Sequence, residues 1–195
     1  MVFLFEQTPG IVFLIMAYLN IEIKATCPDP EFVRTYLKNN HAEFRGTDHQ
    51  LDTYFNVKNG RLKLREGNIE NNLIYYERND QPGPKGSDFQ LINLPDPRQL
   101  KEVLSRSLGI KIIVEKKRDI WFIGNVKFHI DEVPGLGSFA EIEASNKYAD
   151  LSKDELQKQC DFYVKELRIR EEDLVAVSYS DMLKQKEKET RKEPI

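Results

Sequence analysis

Several short stretches of this sequence alternate charged and apolar residues with period two, the spacing of a strand with one buried face. In "NIEIKAT", Glu22 and Lys24 share a face with Asn20 and Thr26, and Ile21 and Ile23 share the other. "GRLKLRE" puts Arg61, Lys63 and Arg65 on one face, and "VEKKRDI" does the same with Lys116 and Arg118. "VKFHIDEV" aligns Lys127, His129 and Asp131, "FAEIEAS" aligns Glu141 and Glu143, and "LIYYERND" aligns Tyr76 with Arg78. One such line is a solvated strand face. Several lines with segregated signs are harder to explain that way, because like charges side by side on a sheet cost energy. A cation cluster attracts a polyanion, and paired glutamates attract a hard divalent cation with oxygen ligands. A metal-bound triphosphate presents both at once.

The elements that must hold these residues follow from the rest of the pattern. Turn signals such as "KNG" and Gly124–Asn125 join the strands into hairpins. Three amphipathic stretches read as helices: "CPDPEFVRTYLKNN" capped by Asp29, "PDPRQLKEVLSRSLG" capped by Asp96, opened by Pro97 and ended by Gly109, and "SKDELQKQCDFYVKELRI" with a capping box from Ser152 to Glu155. "SYSDML" adds a short last helical turn. The count, about eight strands with three main helices, is that of an antiparallel α+β domain. Helices packed outside on the apolar faces would turn the charged faces into a barrel. An ordinary sheet with one wet face answers the same pattern.

Composition narrows the class. The chain has 195 residues, 31% of them charged, with a net charge of only −3. Balanced charge argues against nucleic acid as a partner. The two cysteines, Cys27 and Cys160, lie far apart in sequence, which excludes a disulfide framework and suits a reducing cytoplasm. The apolar run Ile11 to Leu19 is too short to span a bilayer. Residues 1–18 read as an extension, 19–184 as the domain, and 185–195 as a charged tail. Cys160 reads as core, and His129 as either a hydrogen-bonded structural residue or a proton shuttle.

The ordered stretches "NIEIK", "DTYF", "GRLKLRE", "LIYYERND", "GPKGSDF", "VEKKRDIW", "FHIDEVPGLGSFAEIE" and "SYSDML" span residues 20 to 183. Together they resemble the CYTH family of triphosphate tunnel metalloenzymes, which includes class IV adenylyl cyclases and thiamine triphosphatases. The resemblance implies a closed eight-stranded antiparallel β-barrel, the triphosphate tunnel, with helices packed outside. It implies metal binding by Glu22, Glu141, Glu143 and Asp131. Glu22, Lys24 and Asp131 would be catalytic. Lys24, Arg61, Lys63, Arg65, Arg78, Lys116, Arg118 and Lys127 would grip phosphate, with Tyr54 and Tyr76 against the ligand. The family motif opens on Glu where this chain has Asn20, and Lys127 stands where relatives often carry Arg.

The implied cofactor is Mg²⁺ or Mn²⁺. The implied partner is a small triphosphate: ATP, thiamine triphosphate or inorganic tripolyphosphate. No nucleic acid or membrane is expected, and the oligomeric state stays open, a homodimer being one option. Two chemistries fit: hydrolysis of the terminal phosphate, or cyclisation of ATP to cyclic AMP. A non-catalytic triphosphate- or polyphosphate-binding module is the alternative.

Overall fold

The computed structural model describes residues 19–77, 85–86, 88–147 and 150–190. The expected extension, Arg78 and the end of the charged tail lie outside them. The elements run β1 (Asn20–Thr26), α1 (Pro30–Asn39), β2 (Glu43–Phe55), β3 (Arg61–Glu66), β4 (Asn72–Glu77), β5 (Lys85–Gly86), β6 (Asp88–Asn93) and α2 (Arg98–Leu108). Then follow β7 (Ile110–Ile123), β8 (Val126–Val133), β9 (Gly137–Ser145), α3 (Lys153–Glu166) and α4 (Tyr179–Thr190).

Every strand pair is antiparallel, in the order β5-β1-β9-β8-β7-β2-β3-β4-β6. The two ends of this order, β5 and β6, are separated by a single residue of chain. One stretch therefore pairs with β4 on one side and β1 on the other, and the sheet curls into a barrel of eight strand positions. Its closure is weaker than the fully closed barrel expected from sequence. Among the described residues, Ile21↔Gly86 and Glu22↔Lys85 pair across the seam.

Local chemistry sets the element ends. Asp29 accepts a hydrogen bond from the Phe32 amide, and Pro30 sits in the first turn of α1. Ser152 and Glu155 form a reciprocal capping box on α3. Gly124 takes φ +57 in the two-residue connection between β7 and β8, the first central position of a II′ turn, where a side chain would be strained.

The core lies outside the curl. Ile21, Ile23, Phe128, Ile130 and Ile142 face Val33 and Leu37 of α1 and Leu156 and Cys160 of α3. Each such side chain, once buried, contributes about 1.5–3 kcal/mol. With apolar side chains outward on β1, β8 and β9, the intervening charged residues point into the barrel. Two helices depart from expectation. The apolar stripe of α2 is not buried: Val103 is 60% exposed. The short last turn extends instead into α4, with Tyr179 packed on Phe139. No described helix is long and apolar enough to cross a membrane.

Candidate active site

Inside the barrel is a cavity of about 180 Å³ whose two walls carry opposite charge. The basic wall comes from β2, β3 and β7. Their register sets Asp52 opposite Arg65 and Tyr54 opposite Lys63. Asp52 is buried and binds three cations: Lys116 at 2.6 Å, Arg65 at 2.8 Å and Lys63 at 3.0 Å. Burial alone would raise its pKa, but Arg65, Lys116 and Lys63 hold it well below the usual carboxylate range. One carboxylate cannot satisfy three cations. Burial, with Arg65 and Arg118 nearby, brings the Lys116 pKa down to about 7 despite Asp52. Lys63 also stands 5.7 Å from the ring centre of Tyr54 and 6.0 Å from that of Tyr76.

The acidic wall comes from β1, β8 and β9, where register pairs Glu22 with Glu143 and Lys24 with Glu141. Glu141 is shared by Lys24 at 2.9 Å, Arg118 at 2.7 Å and His129 Nδ1 at 3.1 Å. Glu143 meets His129 Nδ1 only at 3.7 Å. Its pKa is pushed up to about 7, by burial first and then by Glu22 and Glu141, against Lys127. His129 moves the other way, down to about 3, through burial and the Arg118 and Lys127 charges. The imidazole is therefore neutral at pH 7. With Nδ1 donating to Glu141, its Nε2 keeps a buried lone pair that has no partner.

This wall fits a divalent cation. Ligand atoms of His129, Glu141 and Glu143 lie within 4.8 Å of one another. Asn20 also lines the cavity, and its buried Oδ1 has no hydrogen-bond partner. Crowded carboxylates, a neutral imidazole and an orphaned amide oxygen form a donor set of the kind Mg²⁺ or Mn²⁺ accepts.

The cavity lining contains Glu22, Lys24, Tyr54, Lys63, Arg65, Tyr76, Lys116, Arg118, Lys127, Glu141 and Glu143 from the sequence expectations. Two expected residues are not brought to it. Asp131 lies fully buried behind Arg118, which it binds through Nε at 2.6 Å, and it accepts from the Tyr179 hydroxyl at 2.8 Å. Arg61 turns toward α4 and binds Asp181 at 3.0 Å. Seven lining residues were missed: Asp52, Glu70, Asn72, Ile74, Leu91, Ser178 and Tyr179. The parity that turned Tyr54 inward also turned Asp52 inward, so that residue was within reach of the pattern. Tyr179, whose ring lies 3.9 Å from Lys24 Nζ, belonged to a segment matched to the family and read as a short helical turn, with no site role given to its residues.

A family model described as CYTH domain matches residues 19–179. A curated protein from Methanocaldococcus jannaschii, named as a "putative adenylate cyclase", is 25% identical over 182 residues, covering 84% of this chain and 98% of that one. Among solved structures, the PH1012 protein from Pyrococcus horikoshii superposes with a TM-score of 0.72 at 24% identity, over 83% of this chain and 98% of its own. A Vibrio parahaemolyticus protein, also named as a "putative adenylate cyclase", gives 0.70 at 16% identity, over 85% and 98%. A Hippeastrum protein described as having a dominant triphosphatase activity gives 0.57 at 15%, over 84% and 93%.

Proposed function

The chain belongs to the CYTH domain family, and from that premise we propose that it is a metal-dependent enzyme acting on a triphosphate, by hydrolysis. One observation carries this reading: a single cavity with surplus cations on one wall and surplus carboxylates on the other. A bare polyanion would suit only the first wall. A triphosphate with its divalent cation suits both.

In this reading Lys63, Arg65 and Lys116 take phosphate oxygens on the basic wall, Arg by a planar fork and Lys as point charges. Lys24 and Arg118, tethered by Glu141, and Lys127 reach the chain from the other side. Glu22, Glu141 and Glu143, joined by His129, hold Mg²⁺ or Mn²⁺. When bound, the ion neutralises charge that develops on phosphate oxygens as the bond breaks. Asp131 acts as a positioning residue, fixing the Arg118 guanidinium by two parallel hydrogen bonds. A cytosolic setting agrees with two free, buried cysteines.

Hydrolysis is favoured because the cavity, about 180 Å³, is smaller than the ~300–1,000 Å³ usual for drug-sized ligands. It houses a phosphate chain and leaves an attached organic group outside. Cyclisation of ATP is the second reading, favoured by Ile74 and the partly exposed Leu91, apolar lining on which a base could rest. The test is a panel of ATP, thiamine triphosphate and inorganic tripolyphosphate with Mg²⁺ or Mn²⁺. Released phosphate supports the triphosphatase. Pyrophosphate with cyclic nucleotide supports the cyclase. Binding without turnover on any of them reduces the protein to a binding module.

A further inference from the structure

The connection between β3 and β4 carries Glu70 into the barrel, and its carboxylate bridges two cations of the phosphate site. Oε1 accepts from Lys127 at 2.7 Å, and Oε2 accepts from Arg65 at 2.9 Å and from Gln50 at 3.2 Å. Arg65 lies on β3 and Lys127 on β8, with β2 and β7 between them in the sheet order. The bridge therefore crosses the barrel rather than running along one wall. Glu70 and Lys127 remain 21% exposed, whereas Asp52 and Lys116 are buried, so the crossing lies toward one mouth of the cavity.

The bridge is built rather than incidental. Asp48, fully buried, accepts from the amides of Ile69 at 2.9 Å and Glu70 at 3.0 Å. Asn68 Oδ1 accepts from the His49 amide at 2.6 Å, tying the same loop to β2. Gly67 allows this approach, since a Cβ there would meet the Asp48 carboxylate at 2.7 Å. Burial would raise the Glu70 pKa, but the neighbouring Lys127 and Arg65 hold the carboxyl far below its ordinary range, so it is charged throughout the working pH range.

We propose that Glu70 is a specificity-determining residue that bars one end of the cavity and limits the length of phosphate chain it accepts. The inference rests on the reading above, that the cavity binds a phosphate chain. A chain short of the bar meets the remaining cations undisturbed. A longer one runs into a fixed negative charge at that mouth and must share Arg65 and Lys127 with it.

The test is calorimetric binding of pyrophosphate, linear tripolyphosphate and linear tetrapolyphosphate to the full-length chain and to Glu70→Gln and Glu70→Ala. Each is run with excess Mg²⁺ and again with chelator. Relative to tripolyphosphate, tetrapolyphosphate should gain at least about tenfold in affinity in Glu70→Gln, the low end of the range for a charge-assisted hydrogen bond. Glu70→Ala should move the ratio in the same direction, with a thermal midpoint confirming that it folds. Affinities that rise by one common factor for all three chains would overturn the proposal, making Glu70 a general charge competitor. Affinities that all fall together would also overturn it, making Glu70 a support for Arg65 and Lys127. If the wild type binds no chain in either condition, the proposed function fails and this inference with it. If it binds tripolyphosphate and the ratio does not move, only the role of Glu70 fails.

Discussion

The two walls of the cavity solve opposite electrostatic problems with the same device, a carboxylate shared among cations. On the basic wall Asp52 serves Lys63, Arg65 and Lys116, Glu70 takes a further bond from Arg65, and positive charge is left over. On the acidic wall Glu141 takes Lys24 and Arg118, leaving Glu143 beside Glu22 with a neutral histidine for company. Among the described residues, six cations and five carboxylates line the cavity, with Asp131 directly behind Arg118. The interior is thus close to neutral as a whole and strongly polarised across its width. A buried neutral network can fold without ligand, and its polarity selects a ligand that carries both signs.

The largest expected effect comes from removing the carboxylate that three cations of the basic wall share. Asp52→Asn takes that partner from Lys63 and Lys116 and leaves Arg65 with Glu70, and breaking a buried ion pair costs about 3–5 kcal/mol. Urea unfolding should show that loss, and tripolyphosphate should raise the thermal midpoint of the variant more than that of the wild type. A loss below about 1 kcal/mol would place the variant among the exposed ion pairs and dissolve the contrast between the walls. The acidic wall should respond in turnover instead. Glu143→Gln should cut metal-dependent turnover at least about 100-fold, equivalent to ~2.7 kcal/mol of transition-state stabilisation. Its metal-free tripolyphosphate affinity should hold or rise, because a negative charge near the anion has been removed. Wild-type turnover in Glu143→Gln would take the metal off this wall.

What was legible in the sequence depended on periodicity. Leu62 and Leu64 alternate with Lys63 and Arg65, so the faces of β3 followed from spacing, and the barrel followed from several such strands read together. Glu70 was invisible for the same reason: it sits on a connection, where no period assigns a direction. Asp131 had the right parity, but parity gives a face and not a depth, and Arg118 reaches across from β7 to cover it. The stripe on α2 shows the converse limit. Leu100, Val103, Leu104 and Leu108 mark an apolar face, but a stripe does not specify its cover, and no residue of α2 is buried. The alternation in "NIEIK" and "FAEIEAS" showed the acidic wall, and the same alternation reached Asp52, but its sharing among cations of β3 and β7 needed register.

The next effect tests the surplus on the basic wall through its protons. Lys116 has a pKa of about 7 in the ligand-free protein, set by burial and by Arg65, Arg118 and Lys63 against Asp52. A phosphate chain beside it favours the charged amine and raises that pKa. Between about pH 7 and the higher value in the complex, binding therefore takes up a proton, and affinity falls as pH rises, by at most tenfold per pH unit for one group. Titration of the phosphate chain itself has the opposite sign, since its charge grows with pH. Lys116→Met isolates the lysine: its binding should be weaker at pH 6.5 (roughly, just below the Lys116 value) and should lose the downward component that the wild type shows above it. Parallel pH profiles for the two proteins would mean that Lys116 carries no share of the surplus.

The smallest effect belongs to Asn20, the one place where the acidic wall lacks a carboxylate that its family motif supplies. Asn20 lines the cavity and its Oδ1 is buried without a hydrogen-bond partner, so it offers an oxygen donor that brings no negative charge. Metal affinity in oxygen sites is tuned partly by the number of charged ligands. Asn20→Glu should therefore lower the free Mg²⁺ needed for half-maximal activity by about fivefold, the factor that corresponds to roughly 1 kcal/mol. The gain is modest because Glu22 and Glu143 already crowd this wall, and a further carboxylate raises the repulsion that pushes the Glu143 pKa up. For the same reason, tripolyphosphate affinity without metal should fall. The opposite signs separate this outcome from a general change in stability, which would move both in one direction. If Asn20→Glu changes neither the Mg²⁺ requirement nor metal-free binding, the acidic wall begins at Glu22, and the amide oxygen of Asn20 serves only its own strand.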